Sequence, residues 1–305
     1  VEAAPRERLV PDRQDLVDDE DLRVDVDRDR EAEPDVHPRR VGLDRLIDEI
    51  ADLNSLLSIP SASAKDRRDV LARKLGNVLF EPVRGFLHGD KTVVLVPDKD
   101  LAGIPFGALR SAVTGDFLVK ELEIQYAPSS TVFVAANRDR FRSPTEDERL
   151  LAVGNPDFDR AAFSDLPELP AAEREIRDVA QHYRDVVPLT RKAATKDAVV
   201  NELHRANVFH FAGHYVFDGR SPMRSGLLLA GNDGVMLANS DIVQMRLPQL
   251  SLVVLSACET GSEAVISGEG MLGAARTFLS AGVPQVIASH WEVDSEATAE
   301  LMANF

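Results

Sequence analysis

At 305 residues the chain is long enough for one large domain with an appendage, or for two domains. It is 44% hydrophobic and 28% charged, and no apolar run approaches the roughly 18 residues that a membrane-spanning helix needs. A formal net charge of −16 argues against broad nucleic-acid binding, which needs a basic footprint, and one cysteine makes neither an internal disulfide nor a thiolate zinc site of its own.

Residues 1–40 are charge-dense, lack aromatic residues and are broken by Pro5, Pro11, Pro34 and Pro38. Such a segment cannot bury enough apolar surface to offset its ordering entropy, and it reads as a disordered linker. It lacks the basic-then-apolar layout of a signal peptide; with the single cysteine, this fits a reducing, cytoplasmic location. The first residue is not methionine and the last ten residues stop inside a helical pattern, so a fragment cut at both ends is expected.

Leu43, Leu46, Ile47, Ile50, Leu53, Leu56 and Leu57 follow helical spacing, and Pro60 ends that helix. A second helix carries Val70, Leu71, Leu75, Val78 and Leu79 on one side. Residues 41–80 therefore form a helical segment, a candidate end of a helical repeat array. The pattern then changes. Thr92–Val96 reads as a buried strand, Asp100–Leu109 as a turn into a short apolar stretch, Ser129–Arg138 as helical, and Leu150–Val153 as a strand running into Gly154-Asn155-Pro156. Ile176, Val179, Ala180 and Tyr183 mark an amphipathic helix, and Thr195 caps a helix through Arg205. Strands follow at Asn207–Ala212, Leu227–Leu229, Leu252–Leu255 and Pro284–Ser289, with a helix over Met271–Ala281. Strands alternating with helices point to a mostly parallel sheet covered on both faces.

In open α/β sheets chemistry collects at the carboxyl ends of strands. Cys258 sits where one apolar strand runs out, before the polar Glu259-Thr260-Gly261; His214 sits at the end of another, after Gly213. A thiol and an imidazole so placed suit a cysteine nucleophile with a histidine base, although a lone cysteine is ordinarily a core residue and a lone histidine ordinarily a structural one. His210 lies deeper on the same face and reads as structural; Gly213 is expected to permit a sharp turn that presents His214. Gly268 to Gly273 matches a dinucleotide fingerprint, but about ten residues separate it from the preceding strand and Glu269 would face a pyrophosphate. No cofactor and no metal are expected. Trp291, Glu292 and Asp294 close the last strand as a pocket wall with acidic side chains, or as a plain surface turn.

In order, HFAGHY, LSACETG, GEGMLGAARTFLSAGVPQVIAS and HWEVD resemble the CHAT domain, the caspase-like domain often found behind tetratricopeptide repeats and related to separases, caspases and gingipains. DLAGIPFGAL, LLAVGNPDF and LPAAEREIRDVA resemble its earlier segments. The resemblance runs from about residue 70 to the end. It implies a caspase-like three-layer α/β/α sandwich with a mostly parallel sheet over residues 81–305, truncated at its C-terminal helix and preceded by the helical segment and the disordered stretch. It also implies a cysteine endopeptidase that cleaves a partner protein, with His214 as base and Cys258 as nucleophile. Backbone N–H groups of Cys258 and of the residue after His214 would hold the oxyanion. That residue is usually glycine in the family and is Tyr215 here, whose side chain is expected to narrow the cleft or change the turn. Asp294, then Glu292, match the position that selects a basic residue before the cut, with Trp291 beside them. The implied partners are a protein or peptide substrate and an upstream tetratricopeptide-repeat or sensor region; charge and hydropathy add the expectation of no nucleic acid and no membrane. The rival reading is a catalytically silent scaffold that binds peptides in the same cleft.

Overall fold

The computed structural model describes residues 38–57, 62–137, 148–218, 220–258, 264–266, 270–289 and 294–305. The stretch expected to be disordered lies outside them as far as residue 37, and so do Trp291 and Glu292. The described chain opens on α1 (Pro38–Leu57) and α2 (Ala62–Leu75), which runs through a π-helical turn (Gly76–Phe80) into α3 (Glu81–Arg84). Next, β1 (Thr92–Leu95) pairs in parallel with β2 (Glu123–Tyr126), and α4 (Ser130–Asn137) follows. Ile50, Leu53, Ala72, Leu75, Phe80, Ile104, Leu109, Leu118 and Leu122 share one core, so the helical segment packs on residues that follow position 80. β1, expected to be buried, is half-exposed because its two-stranded sheet stands apart from the main one.

The main sheet then builds in alternation: β3 (Arg149–Pro156), α5 (Pro170–Ala180), β4 (Asp185–Arg191), α6 (Lys196–Leu203) and β5 (Val208–Val216). It continues through β6 (Gly226–Leu228), β7 (Met236–Ala238), α7 (Asn239–Ile242) and β8 (Leu252–Cys258). β9 (Ala264–Ile266) and β10 (Gly270–Leu272) pair antiparallel, and α8 (Ala274–Ser280), β11 (Gln285–Ala288) and α9 (Ser295–Asn304) close the chain. The helix expected from Met271 thus begins at Ala274, because residues 270–272 are taken up by β10. Five strands run in the order β11-β8-β5-β3-β4, all parallel; β6 adds antiparallel to the end of β5, and β7 pairs antiparallel with β6.

Three layers follow from how side chains alternate along each strand. Leu150 and Ala152 of β3, with Val208 and Ala212 of β5, pack under Ala172, Ile176 and Val179 of α5, and Met302 of α9 joins that face. Leu151, Val153, Phe209, Phe211, Val253 and Leu255 point to the other face, under Val199 and Leu203 of α6 and Ala274 and Phe278 of α8. Strands buried on both faces need apolar residues at nearly every position, which is why these runs are continuous rather than alternating. Phe209 anchors the second face, with its ring centroid 6.3 Å from Phe211 and 5.9 Å from Phe278. Each fully buried phenylalanine contributes roughly 1.5–3 kcal/mol of transfer free energy. The Thr195 hydroxyl caps α6 by accepting from Ala198 N–H, as its sequence position predicts.

Candidate active site

The strand order reverses between β3 and β5. From β3 the chain moves outward to β4 over one face, then returns over the other face to β5, β8 and β11. The loops after β3 and β5 therefore part company at the carboxyl ends of these two strands, the place where open sheets form a binding crevice. His214 stands there. It pairs in register with Cys258 of β8, so the two backbones lie side by side at roughly the 5 Å spacing of adjacent strands. Residues 208, 210, 212 and 214 of β5, one row on the face that α5 covers, run beside 252, 254, 256 and 258 of β8. At the end of β11, the Ser289 hydroxyl donates to the Ala257 carbonyl at 2.7 Å and ties that strand to β8 immediately before Cys258.

The His214 ring is buried, with 7% of the residue exposed. Its Nε2 lies 2.8 Å from the carbonyl oxygen of Pro167, in the loop that enters α5. A carbonyl only accepts, so Nε2 carries the hydrogen, and in the neutral ring Nδ1 carries the lone pair. Phe158 stands edge-on to the imidazole, centroids 5.4 Å apart at 89°. Arg160 lies over the Phe158 ring, 4.9 Å from its centre, and pairs with Glu168 at 2.9 Å. Burial pulls the His214 pKa below its ordinary 6.5; the Pro167 hydrogen bond opposes this and the Arg160 charge adds to it. The ring is therefore neutral at pH 7 and able to accept a proton at Nδ1.

A family model, the CHAT domain, matches residues 69–305. The chain belongs to the CHAT domain family. Tetratricopeptide repeat protein 28 of Homo sapiens is 24% identical over 275 aligned residues, covering 74% of this chain and 11% of the relative. Its Mus musculus counterpart is 22% identical over 306 residues, covering 81% of this chain and 12% of the relative. The chain thus spans about a tenth of the length of these curated relatives. Two solved structures are similar in part. The complex of the pro- and mature domains of RgpB from Porphyromonas gingivalis has a TM-score of 0.47 at 13% identity, covering 86% of this chain and 64% of that one. A structural-genomics protein from Geobacter sulfurreducens has a TM-score of 0.29 at 21% identity, covering 37% and 50%.

In this CHAT domain several details depart from what the sequence led us to expect. β5 does not turn at Gly213; it runs on to Val216. The glycine is required for another reason: a Cβ there would sit 2.7 Å from Cζ of the fully buried Phe211. Tyr215 does not narrow the cleft. Being one residue past His214, it points to the opposite face, where its ring joins the core and its hydroxyl accepts from Asn239 Nδ2 at 3.0 Å. Its backbone registers with Leu227 of β6. His210 pairs with Glu175 of α5 at 2.6 Å, both side chains being at most 3% exposed, which is the structural role its depth in the strand suggests. Gly270 of the glycine motif stands in β10, while Gly268 and Glu269 lie outside the described residues. Asp294 is exposed and caps α9, one carboxylate oxygen accepting from Ala297 N–H at 2.9 Å. Pro167, Phe158 and Arg160 were absent from the sequence-derived site. Among the described residues no helix is long and apolar enough to cross a membrane.

A cavity of about 980 Å³ lies elsewhere, lined by residues such as Glu148, Val208 and Leu252 at the amino ends of the strands and Met302 of α9. It reaches along the sheet as far as His210 and Val254, four residues short of His214 and Cys258.

Proposed function

We propose that this CHAT domain is a cysteine endopeptidase that cuts a partner protein through a Cys258–His214 dyad. The observation that carries the reading is the register pairing of His214 with Cys258 at the carboxyl ends of adjacent parallel strands, together with the tautomer that Pro167 imposes on the histidine. The Cys258 thiol gives its proton to Nδ1 of His214 as sulfur attacks the scissile carbonyl. The tetrahedral intermediate collapses with cleavage of the C–N bond, and the imidazolium returns the proton to the leaving amine. Water, deprotonated by the same ring, then releases the acyl group and restores the thiol. Backbone N–H groups of Cys258 and Tyr215 are the proposed oxyanion donors, worth about 3 kcal/mol of barrier each in acyl-transfer enzymes. Asp294, Glu292 and Trp291 are the proposed substrate contacts, selecting a basic residue before the cut; the net charge of −16 favours approach of such a substrate. The tetratricopeptide-repeat relatives support an upstream repeat region that delivers the partner, and the lone cysteine supports a reducing, cytoplasmic setting.

The test uses the single cysteine. Iodoacetamide reports on Cys258 alone, so its rate is followed against pH in this chain and in His214→Ala. The expected half-maximal rate in the unmodified chain falls below pH 6.5, where His214 titrates, and moves to about 8.5 in the variant, the value of an ordinary thiol. A midpoint near 8.5 in both proteins removes the dyad and leaves the peptide-binding scaffold as the reading.

A further inference from the structure

Among the described residues, a backbone carbonyl directs the hydrogen on His214 Nε2, and that carbonyl lies in a loop, residues 157–169. What holds the loop decides where the ring points. Its start is held by the Gly231 N–H on the Asp157 carbonyl and the Asp233 N–H on Asp159 Oδ2; its end, next to Pro167, is held from β3 by Asn155. Asn155 is left out of the β3–β4 ladder: Gly154 pairs with Thr190 and Pro156 with Arg191, with a register shift between them. Its backbone is left-handed, φ 46°, a conformation asparagine tolerates better than most residues. It is nonetheless buried, 3% exposed. Bulges of this kind re-aim a side chain at the end of a strand.

The bulge aims the Asn155 amide at the start of α5. Oδ1 accepts from Leu169 N–H at 3.1 Å, and Nδ2 donates to Glu173 Oε1 at 2.8 Å. A backbone N–H only donates and a carboxylate only accepts, so chemistry at both ends fixes which way the amide lies. The first contact is two residues from Pro167. Arg191, also left-handed at φ 52°, closes the bracket from β4: its guanidinium contacts Glu173 and reaches Glu168 and Asp157 at 3.6 Å. We propose that Asn155 is a positioning residue for His214: it pins the α5 entry loop so that the Pro167 carbonyl selects the tautomer with its lone pair on Nδ1. The catalytic consequence rests on the dyad reading above; the positioning itself does not.

The experiment separates the two. Asn155→Gly keeps the left-handed backbone free of strain and removes both side-chain contacts. Asn155→Asp keeps the Leu169 contact but sets a second carboxylate against Glu173; adding Glu173→Gln restores a donor–acceptor pair with the roles exchanged. Long-range ¹H–¹⁵N spectra of histidine-labelled protein at pH 7.5, assigned with His214→Gln, report the tautomer of His214 directly. The chain as it stands is expected to show the Nε2–H form. Asn155→Gly and Asn155→Asp are expected to show exchange between both tautomers, and the Asp/Gln double variant to return to the Nε2–H form. Alkylation of Cys258 by iodoacetamide at pH 7 is expected to slow about tenfold in the single variants, toward the small thiolate fraction of an ordinary cysteine, and to recover in the double variant. An unchanged tautomer in a folded single variant overturns the proposal whatever the alkylation rate. A tautomer that shifts and is rescued while alkylation never responds upholds the positioning and removes the dyad. Should the glycine variant not fold, the aspartate variant and its rescue decide between the same outcomes.

Discussion

Glu175 of α5 and His210 of β5 form a buried polar contact between the helix and the sheet. The carboxylate and the imidazole lie 2.6 Å apart, with side chains 2% and 3% exposed. Removing one partner of a buried pair strands the other in a medium that cannot solvate it, which costs about 3–5 kcal/mol. Replacing both by apolar residues of similar volume removes the desolvation penalty with the attraction and is commonly neutral or stabilising. Glu175→Met and His210→Leu are therefore each expected to lower the unfolding free energy by about 3 kcal/mol or more. The double variant is expected to lie within about 1 kcal/mol of the unmodified chain, a coupling far outside the roughly 0.5 kcal/mol scatter of independent sites. Urea unfolding followed by far-ultraviolet circular dichroism measures all four proteins. His210 borders the 980 Å³ cavity, so there is a specific way for the reasoning to fail. If either single substitution costs less than about 1 kcal/mol, water entering from that cavity satisfies the widowed group, and the pair is not a lock.

The buried histidine of the candidate site predicts a pH dependence of its own. The pKa of His214 is below 6.5 in the folded chain, so between that value and 6.5 the unfolded chain binds more protons and stability rises with pH. The difference in urea midpoint between this chain and His214→Gln, measured from pH 5 to 8, is expected to change across that window and level off above it; a flat difference means that the ring titrates normally. Asp294 is the second test, since its capping bond to Ala297 competes with a role in substrate selection. Asp294→Ala removes both, costing about 1 kcal/mol of α9 stability, whereas Asp294→Asn keeps a capping oxygen and loses the charge. If an arginine-based affinity label reacts slowly with both variants, the charge selects the substrate; if Asp294→Asn reacts as the unmodified chain does, the cap alone matters.

Much of this architecture was legible because a parallel sheet buried on both faces writes itself as apolar runs. β3, β5, β8 and β11 could be read directly. β4 could not: its DVVPLTR carries a proline and charged ends, which a strand tolerates only at an edge, and an edge is where it lies. β2 is four residues long and belongs to a separate pair. At the site, the two side chains with chemistry of their own were visible from strand ends. The acceptor that orients His214 was not, because a backbone carbonyl has no residue type to announce it. Tyr215 was misjudged although the signal was present: a residue adjacent to His214 in a strand must face the other way. Asn155 read only as part of a turn, since nothing in Gly-Asn-Pro shows that the amide reaches forward to a helix that starts fifteen residues later.

The placement of the cavity bears on how such a site should be sought. About 980 Å³ of space opens at the amino ends of the strands, while His214 and Cys258 occupy the carboxyl ends, where the imidazole is nearly covered. Volume favours the first location and chemistry the second. The chemistry supports the proposed site, because at the carboxyl ends the crossovers to opposite faces bring a loop from β3 against the end of β5, and that contact orients His214. α5 is the element common to both ends. Its middle is fastened to β5 by Glu175 and His210, and its entry is fastened to β3 by Asn155. Gly154 lets the helix sit close enough for both, since a Cβ there would lie 2.5 Å from Ile176 and 3.0 Å from the Ala172 carbonyl. The two fastenings divide the work by distance: the lower pair bears on how tightly the helix is held, while the upper amide, two residues from Pro167, bears on where the imidazole hydrogen points.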